Sequence, residues 1–203
     1  MTQNIVKELL IYLAIDIDRF AVSVYVTEFT QNESDKTIYR SRFSPNKSKI
    51  LDILHYKVYQ LTKKELIAAE IKDIIESYNL KGSNFKKSTV YINNNNQIFN
   101  RNLSKLLKEQ NLLKNITIYS NNQDYFVDEE KLKQDIILFK DYLNDKIINF
   151  NNDNDRQKLF NNFNFNKAKD LDYSDLRLLC IVEGAIYAKG DSGSTFAIAT
   201  INL

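Results

Sequence analysis

"LLIYLAIDIDRFAVSVYVTEFT", residues 9–30, decides how this chain is read. Leu9 to Ile15 is an almost unbroken apolar run that ends on two acids, Asp16 and Asp18. A short run of this kind is the pattern of a strand buried on both faces, as in the centre of an α/β sheet. The second half alternates, with Ala21, Ser23 and Tyr25 set against Val22, Val24 and Val26. Period two predicts a second strand. After the polar turn "QNESDK", "TIYRSRF" (37–43) alternates again, predicting a third strand and an antiparallel meander that Ser44-Pro45-Asn46 breaks.

Beyond the meander the period changes. Ile50, Leu51, Leu54, Val58, Leu61, Leu66, Ile67, Ile71, Ile74 and Ile75 recur every three or four residues. That spacing predicts a long helix over 48–78, with a break at Leu61-Thr62 and an end at Gly82-Ser83. "STVYIN" (88–93) is a fourth strand, "NRNLSKLLKEQNLL" (100–113) a helix and "NITIYSN" (115–121) a fifth strand. "VDEEKLKQDIILFKDYLNDKIINF" (127–150) is a helix with acids in its first turn, where the helix dipole favours them. The Asn- and Asp-rich 149–166 segment reads as a polar loop or lid. "YSDLRLLCIVEGAIYAKG" (173–190) is an apolar helix with Gly190 as C-cap, and "STFAIATINL" (194–203) a last strand. The expected class is α/β: a mixed five-stranded sheet, three antiparallel strands then parallel strands, flanked by helices. This is the ribonuclease H-like arrangement, in a single domain over 1–203.

Composition removes several function classes. The net charge is +2, from 28 basic and 26 acidic residues, so no nucleic-acid or membrane partner is announced by charge alone. The opening "MTQNIVKELLIYLAI" carries Lys7 and Glu8 and is too short to span a bilayer. A soluble intracellular protein with no membrane partner is expected. The single cysteine, Cys180, excludes an internal disulfide and reads as a small core residue. With one histidine, His55, neither a zinc cluster nor a Ser-His-Asp triad is expected; His55 reads as a packing residue on the long helix. Only four glycines occur, and no G-x-x-x-x-G-K or G-x-G-x-x-G phosphate loop. Abundant Asn, Lys, Ile and Tyr suit an AT-rich genome, so an asparagine here is not by itself a chemical choice.

Two groups of acids remain. Asp16 and Asp18 close the first strand on one face, a natural start for an oxygen-ligated Mg²⁺ or Mn²⁺; the plainer reading is a strand-ending Asp that caps the next turn. In "KAKDLDYSDLRLL", Asp172 and Asp175 are three apart at a helix start, where an N-cap explains them equally well. Lys167 and Lys169 precede them. Lys47, Lys49, Lys57, Lys63 and Lys64, interleaved with Tyr56 and Tyr59, offer a basic stretch able to follow a phosphate backbone, or a solvated helix face.

These segments together resemble a family. "YLAIDIDRFAVSVYV", "TVYINNNNQ" and "KAKDLDYSDLRLL" are similar, in order, to the first hairpin, fourth strand and closing motif of the RuvC-like Holliday junction resolvases, poxviral and fungal mitochondrial branches included. The resemblance implies a dimeric nuclease acting on branched DNA, with two Mg²⁺ or Mn²⁺ ions held by four carboxylates. It maps Asp16 onto the first acid and Asp172 and Asp175 onto the last pair, with all three converging on the end of the fourth strand. There the family's glutamate falls at Asn93, a residue with no charge to give a metal, and Asp18 stands where the family has glycine.

Three explanations of Asn93 stay open. The site is degenerate and the fold serves as a scaffold; or a helix acid (Glu65, Glu70 or Glu76) completes it; or position 93 has been altered. The expected function is a resolvase-type endonuclease with an impaired site; the alternative is a pseudoenzyme acting as a structural or protein-interaction subunit. A third reading, an actin-like ATPase fragment, follows from "VEGAIYAKG" (182–190) but lacks the glycine-rich loops.

Overall fold

The computed structural model describes residues 4–31, 50–94, 96–111, 116–120, 129–151, 153–165, 171–172 and 175–189. The elements run β1 (Asn4–Ile15), β2 (Arg19–Gln31), β3 (Ile50–Gln60), α1 (Lys64–Ser77), β4 (Lys87–Asn93), α2 (Gln97–Glu109), β5 (Ile116–Ser120), α3 (Glu129–Asn144), β6 (Ile148–Phe150), α4 (Asp153–Asn162) and α5 (Leu176–Lys189). One mixed sheet has the order β5-β4-β1-β2-β3-β6. β1, β2 and β3 are antiparallel neighbours; β4 joins β1, β5 joins β4 and β6 joins β3 in parallel. The expected five-stranded core is therefore present, with the three-residue β6 added at one edge.

Burial of β1 on both faces organises the layers. Leu9, Ile11, Leu13 and Ile15 face one layer with α1 and α2. Leu10, Tyr12 and Ala14 face the other, with α3 and α5. α1 meets its layer through Ile67, Ala68, Ile71, Ile74 and Ile75, the spacing of an amphipathic helix. Among the described residues no helix is long and apolar enough to cross a membrane.

Several expectations change. The predicted helix over 48–78 is two elements, β3 and α1, so His55 lies on a strand, where its Nε2 is 3.2 Å from the Tyr59 hydroxyl. The cause is a β-bulge: Val24 pairs His55 but Tyr25 pairs Ile53, leaving Leu54 as an extra residue. The alternation flips phase there, so that Leu51 and Ile53 before it and Tyr56 and Val58 after it pack on the same layer. A three-residue step from Ile53 to Tyr56 imitates helical spacing.

α1 ends at Asn79 (φ 51°) rather than at Gly82, with Leu80 N–H donating to the Ile75 carbonyl at 2.9 Å. α3 ends in the same way before β6. Lys146 takes φ 56°, Ile147 N–H reaches the Tyr142 carbonyl at 2.9 Å, and Lys146 N–H the Leu143 carbonyl at 3.3 Å. The predicted loop 149–166 contains α4, anchored by buried Leu159, Phe163 and Phe165. Its few apolar positions were hidden among Asn and Asp. The strands expected at 37–43 and 194–203, and Gly190, lie outside the described residues; β3 supplies the third strand of the meander.

α5 approaches the sheet closely at Gly184. A Cβ there would lie 2.5 Å from the Tyr25 hydroxyl oxygen, and that hydroxyl donates to the Cys180 and Ile181 carbonyls at 2.8 and 3.0 Å. Gly184→Ala is expected to destabilise the protein by about 1–3 kcal/mol through overpacking, measured as a lowered urea midpoint with an unchanged slope.

Candidate functional site

The carboxyl ends of β1 and β4 lie side by side, with Ala14 opposite Asn93. In open α/β sheets this is the end where ligands bind. Asp16 leaves β1 here. Its backbone N–H donates to the Arg19 carbonyl at 2.8 Å, closing the turn into β2. Its carboxylate accepts from Ile17 N–H at 2.8 Å and from Arg19 Nη2 at 3.2 Å. Arg19 Nε also lies 3.5 Å from Asp18 Oδ1. Both acids are solvent-exposed, at 45% and 72% of the side chain. These ion pairs therefore neutralise the turn but add little stability. Leu61 N–H donates to the Asp18 carbonyl at 2.7 Å, which ties the chain just after β3 to this turn.

Asp175 is the N-cap of α5. Its side chain accepts from Arg177 N–H at 2.8 Å, its carbonyl from Leu179 N–H at 3.0 Å, and its other carboxylate oxygen from Arg177 Nη2 at 3.1 Å. The Asp172 carbonyl accepts from Asp175 N–H at 3.0 Å, and the residue is exposed. α5 then crosses the sheet. Arg177 feels Tyr56 of β3, Cys180 Sγ meets Ser23 Oγ of β2 at 2.8 Å, and Tyr187 packs on Tyr91 of β4 with ring centroids 4.8 Å apart. Among the described residues no three Asp, Glu, His or Cys side chains gather closely enough to hold a metal ion. Asp16, Asp172 and Asp175 form no such group among the described side chains.

Asn93 instead meets a carboxylate from the middle of α5. The Tyr12 hydroxyl donates to Glu183 Oε2 at 2.7 Å. Asn93 Nδ2 donates to the Tyr12 hydroxyl oxygen at 3.0 Å and to Glu183 Oε2 at 3.3 Å. Asn93 is 6% exposed, and its Oδ1 is buried with no hydrogen-bond partner. Burial pushes the Glu183 carboxyl upward; the Tyr12 hydrogen bond and Lys131 oppose this, and Asp135 on α3 adds to it. Burial likewise raises Asp135. The Tyr12 and Tyr91 rings stack with centroids 5.0 Å apart, and both hydroxyls are raised by burial and then by the Glu183 charge.

Glu183 was not singled out in the sequence. Its signal is a lone carboxylate inside "LLCIVEGAI", where an apolar face should continue. Glu65, Glu70 and Glu76 are on α1, which packs on the opposite face from Tyr12 and α5, so they do not complete this cluster. The asparagines after Asn93 build the chain's exit from β4. Asn94 Oδ1 accepts from Asn96 N–H at 3.2 Å, Asn96 Oδ1 caps α2 at Phe99 N–H at 3.0 Å, and Asn100 Nδ2 donates to the Asn94 carbonyl at 2.8 Å.

Of the basic residues, Lys57 is on β3 with its Nζ 4.8 Å from the Tyr59 ring centroid, Lys63 precedes α1, and Lys64 pairs with Glu65 at 3.4 Å. Lys47, Lys49, Lys167 and Lys169 lie outside the described residues. A two-metal centre needs several carboxylates converging on one point. Here the Asp16 and Asp175 oxygens are engaged by arginines and Glu183 by neutral donors, so the described side chains do not fit such a centre as they stand.

No protein-family profile matches the chain, and no curated protein sequence does. Solved structures do. A manganese-soaked human cytomegalovirus terminase nuclease domain aligns over 89% of this chain and 81% of its own, with 14% identity and a TM-score of 0.53. An inhibitor-bound form of that domain aligns over 91% and 84%, with 11% identity and a TM-score of 0.50. The yeast mitochondrial Holliday junction resolvase aligns over 90% and 79%, with 12% identity and a TM-score of 0.45. The sheet order and flanking helices are those of the ribonuclease H-like fold.

The raised Glu183 carboxyl sets a pH dependence. A carboxyl whose folded pKa exceeds its unfolded one contributes stability below the unfolded value and loses it as pH rises through the folded value. Glu183→Gln should match the parent protein in Tm at acidic pH and exceed it increasingly from the ordinary glutamate range toward neutrality, read by calorimetry across pH.

Proposed function

We propose that this chain is a nucleic-acid-binding protein of the ribonuclease H-like nuclease type, acting on branched or double-stranded DNA, with a phosphodiester-cleaving centre weakened at Asn93. The observation that carries this reading is Asp16 leaving the central strand beside the end of β4, on a fold shared with a viral terminase nuclease domain. Lys57, and Lys63 and Lys64 shortly after the Leu61 N–H that donates to the Asp18 carbonyl, are the backbone-contacting cations of this reading, joined by Lys47, Lys49, Lys167 and Lys169. Activity with Mg²⁺ or Mn²⁺ at Asp16, Asp172 and Asp175 requires Asp16 to leave Arg19 and Asp175 to leave Arg177. A homodimer suits the two-fold symmetry of a junction.

A second reading, a non-catalytic structural or interaction subunit, is favoured by the neutral Asn93 amide being already engaged by Tyr12 and Glu183. The decisive experiment measures binding and cleavage of a four-way junction and a linear duplex with each cation. Cleavage lost in Asp16→Asn supports the nuclease, and binding without cleavage supports the second reading. Absence of DNA affinity at low salt sinks the nucleic-acid reading. Replacing Lys57, Lys63 and Lys64 together with Ala is expected to flatten the slope of log affinity against log salt by about 2 to 3.

A further inference from the structure

Glu183 is the only carboxylate of α5. Around it Leu178, Leu179, Cys180, Ile181, Val182, Ala185 and Ile186 are all buried, so the helix carries one acid into an apolar layer. Its partners in the cluster, the Tyr12 hydroxyl and the Asn93 amide, are both neutral donors. The amide is held by its nitrogen alone, since its oxygen has no partner. We infer that Glu183 is a positioning residue that fixes position 93 as a hydrogen-bond donor. The carboxylate beside Tyr12 therefore comes from α5 instead of from β4, and an acid at 93 is excluded while Glu183 is present.

The physical reason is local. Asn93 Nδ2 stands 3.3 Å from Glu183 Oε2 and 3.0 Å from the Tyr12 oxygen. Glutamate or aspartate at 93 has no N–H to offer. It would bring a second carboxylate against the half-buried first, with burial and like charge disfavouring ionisation of both. A swapped pair, with the acid on β4 and the amide on α5, restores one donor and one acceptor. Unpaired buried polar groups are costly, so an acid at 93 needs the amide at 183, whereas Gln at 183 alone still offers an oxygen to the Asn93 amide and the Tyr12 hydroxyl.

The inference rests on the proposed function only in assigning this cluster to the functional end of the sheet; the coupling itself does not require cleavage. Thermal unfolding at neutral pH of the parent protein, Asn93→Glu, Glu183→Gln and the double substitution tests it. Asn93→Glu is expected to lower Tm by about 5–10 °C, and adding Glu183→Gln to recover most of that loss. If Asn93→Glu yields no folded protein, Asn93→Asp takes its place in the same comparison. An acid at 93 that leaves Tm unchanged, or a double substitution no more stable than the single one, overturns the inference. Loss of DNA binding by the parent protein would instead remove the functional reading and leave this coupling standing.

Discussion

Everything in this molecule depends on burying β1 on both faces. A strand with Leu9, Ile11, Leu13 and Ile15 on one side and Leu10, Tyr12 and Ala14 on the other cannot be covered by a single layer of helices. Each of the leucines and isoleucines is worth roughly 1.5–3 kcal/mol when removed from water. α1 and α2 therefore close one face, and α3 and α5 the other. The order of the strands then follows, because β2 returns as a hairpin and β4 has to arrive in parallel through a helical crossover.

The same constraint creates the polar cluster. α5 crosses from β3 to β4 in order to cover the sheet, so its middle, not its start, lies over the junction of β1 and β4. The side chain it delivers there is Glu183, and the side chains waiting for it are Tyr12 and Asn93. At the start of the helix, the Asp175 side chain is occupied by its own capping and by Arg177. The chemistry available at this end of the sheet is thus set by the crossing path of one helix as much as by the residues at the strand ends.

The sequence made the core strands legible because burial on both faces writes an unbroken apolar run and burial beside it writes alternation. It failed where tertiary context shifted the period. The bulge at Leu54 flipped the phase of β3 and produced helix-like spacing, and the scarce apolar residues of α4 vanished among asparagines. Asp16 and Asn93 do lie at neighbouring strand ends, since period and position along a strand are local properties. Glu183 was missed because its partners are 171 and 90 residues away in sequence, and no local pattern marks such a meeting. The run of asparagines mixed one buried member of the polar cluster with members that only shape a turn and cap a helix.

The aromatic stack in the core has an optical consequence. The chain has 12 tyrosines and no tryptophan, so its near-ultraviolet absorption is tyrosine absorption. Tyr12, Tyr25 and Tyr91 are held un-ionised by burial well past the alkaline range in which solvent-facing phenols lose their protons. Phenolate absorbance in alkali therefore divides into an early fraction from the surface and a late one released only when the layers part, giving the protein a colourless dye of its own for core integrity.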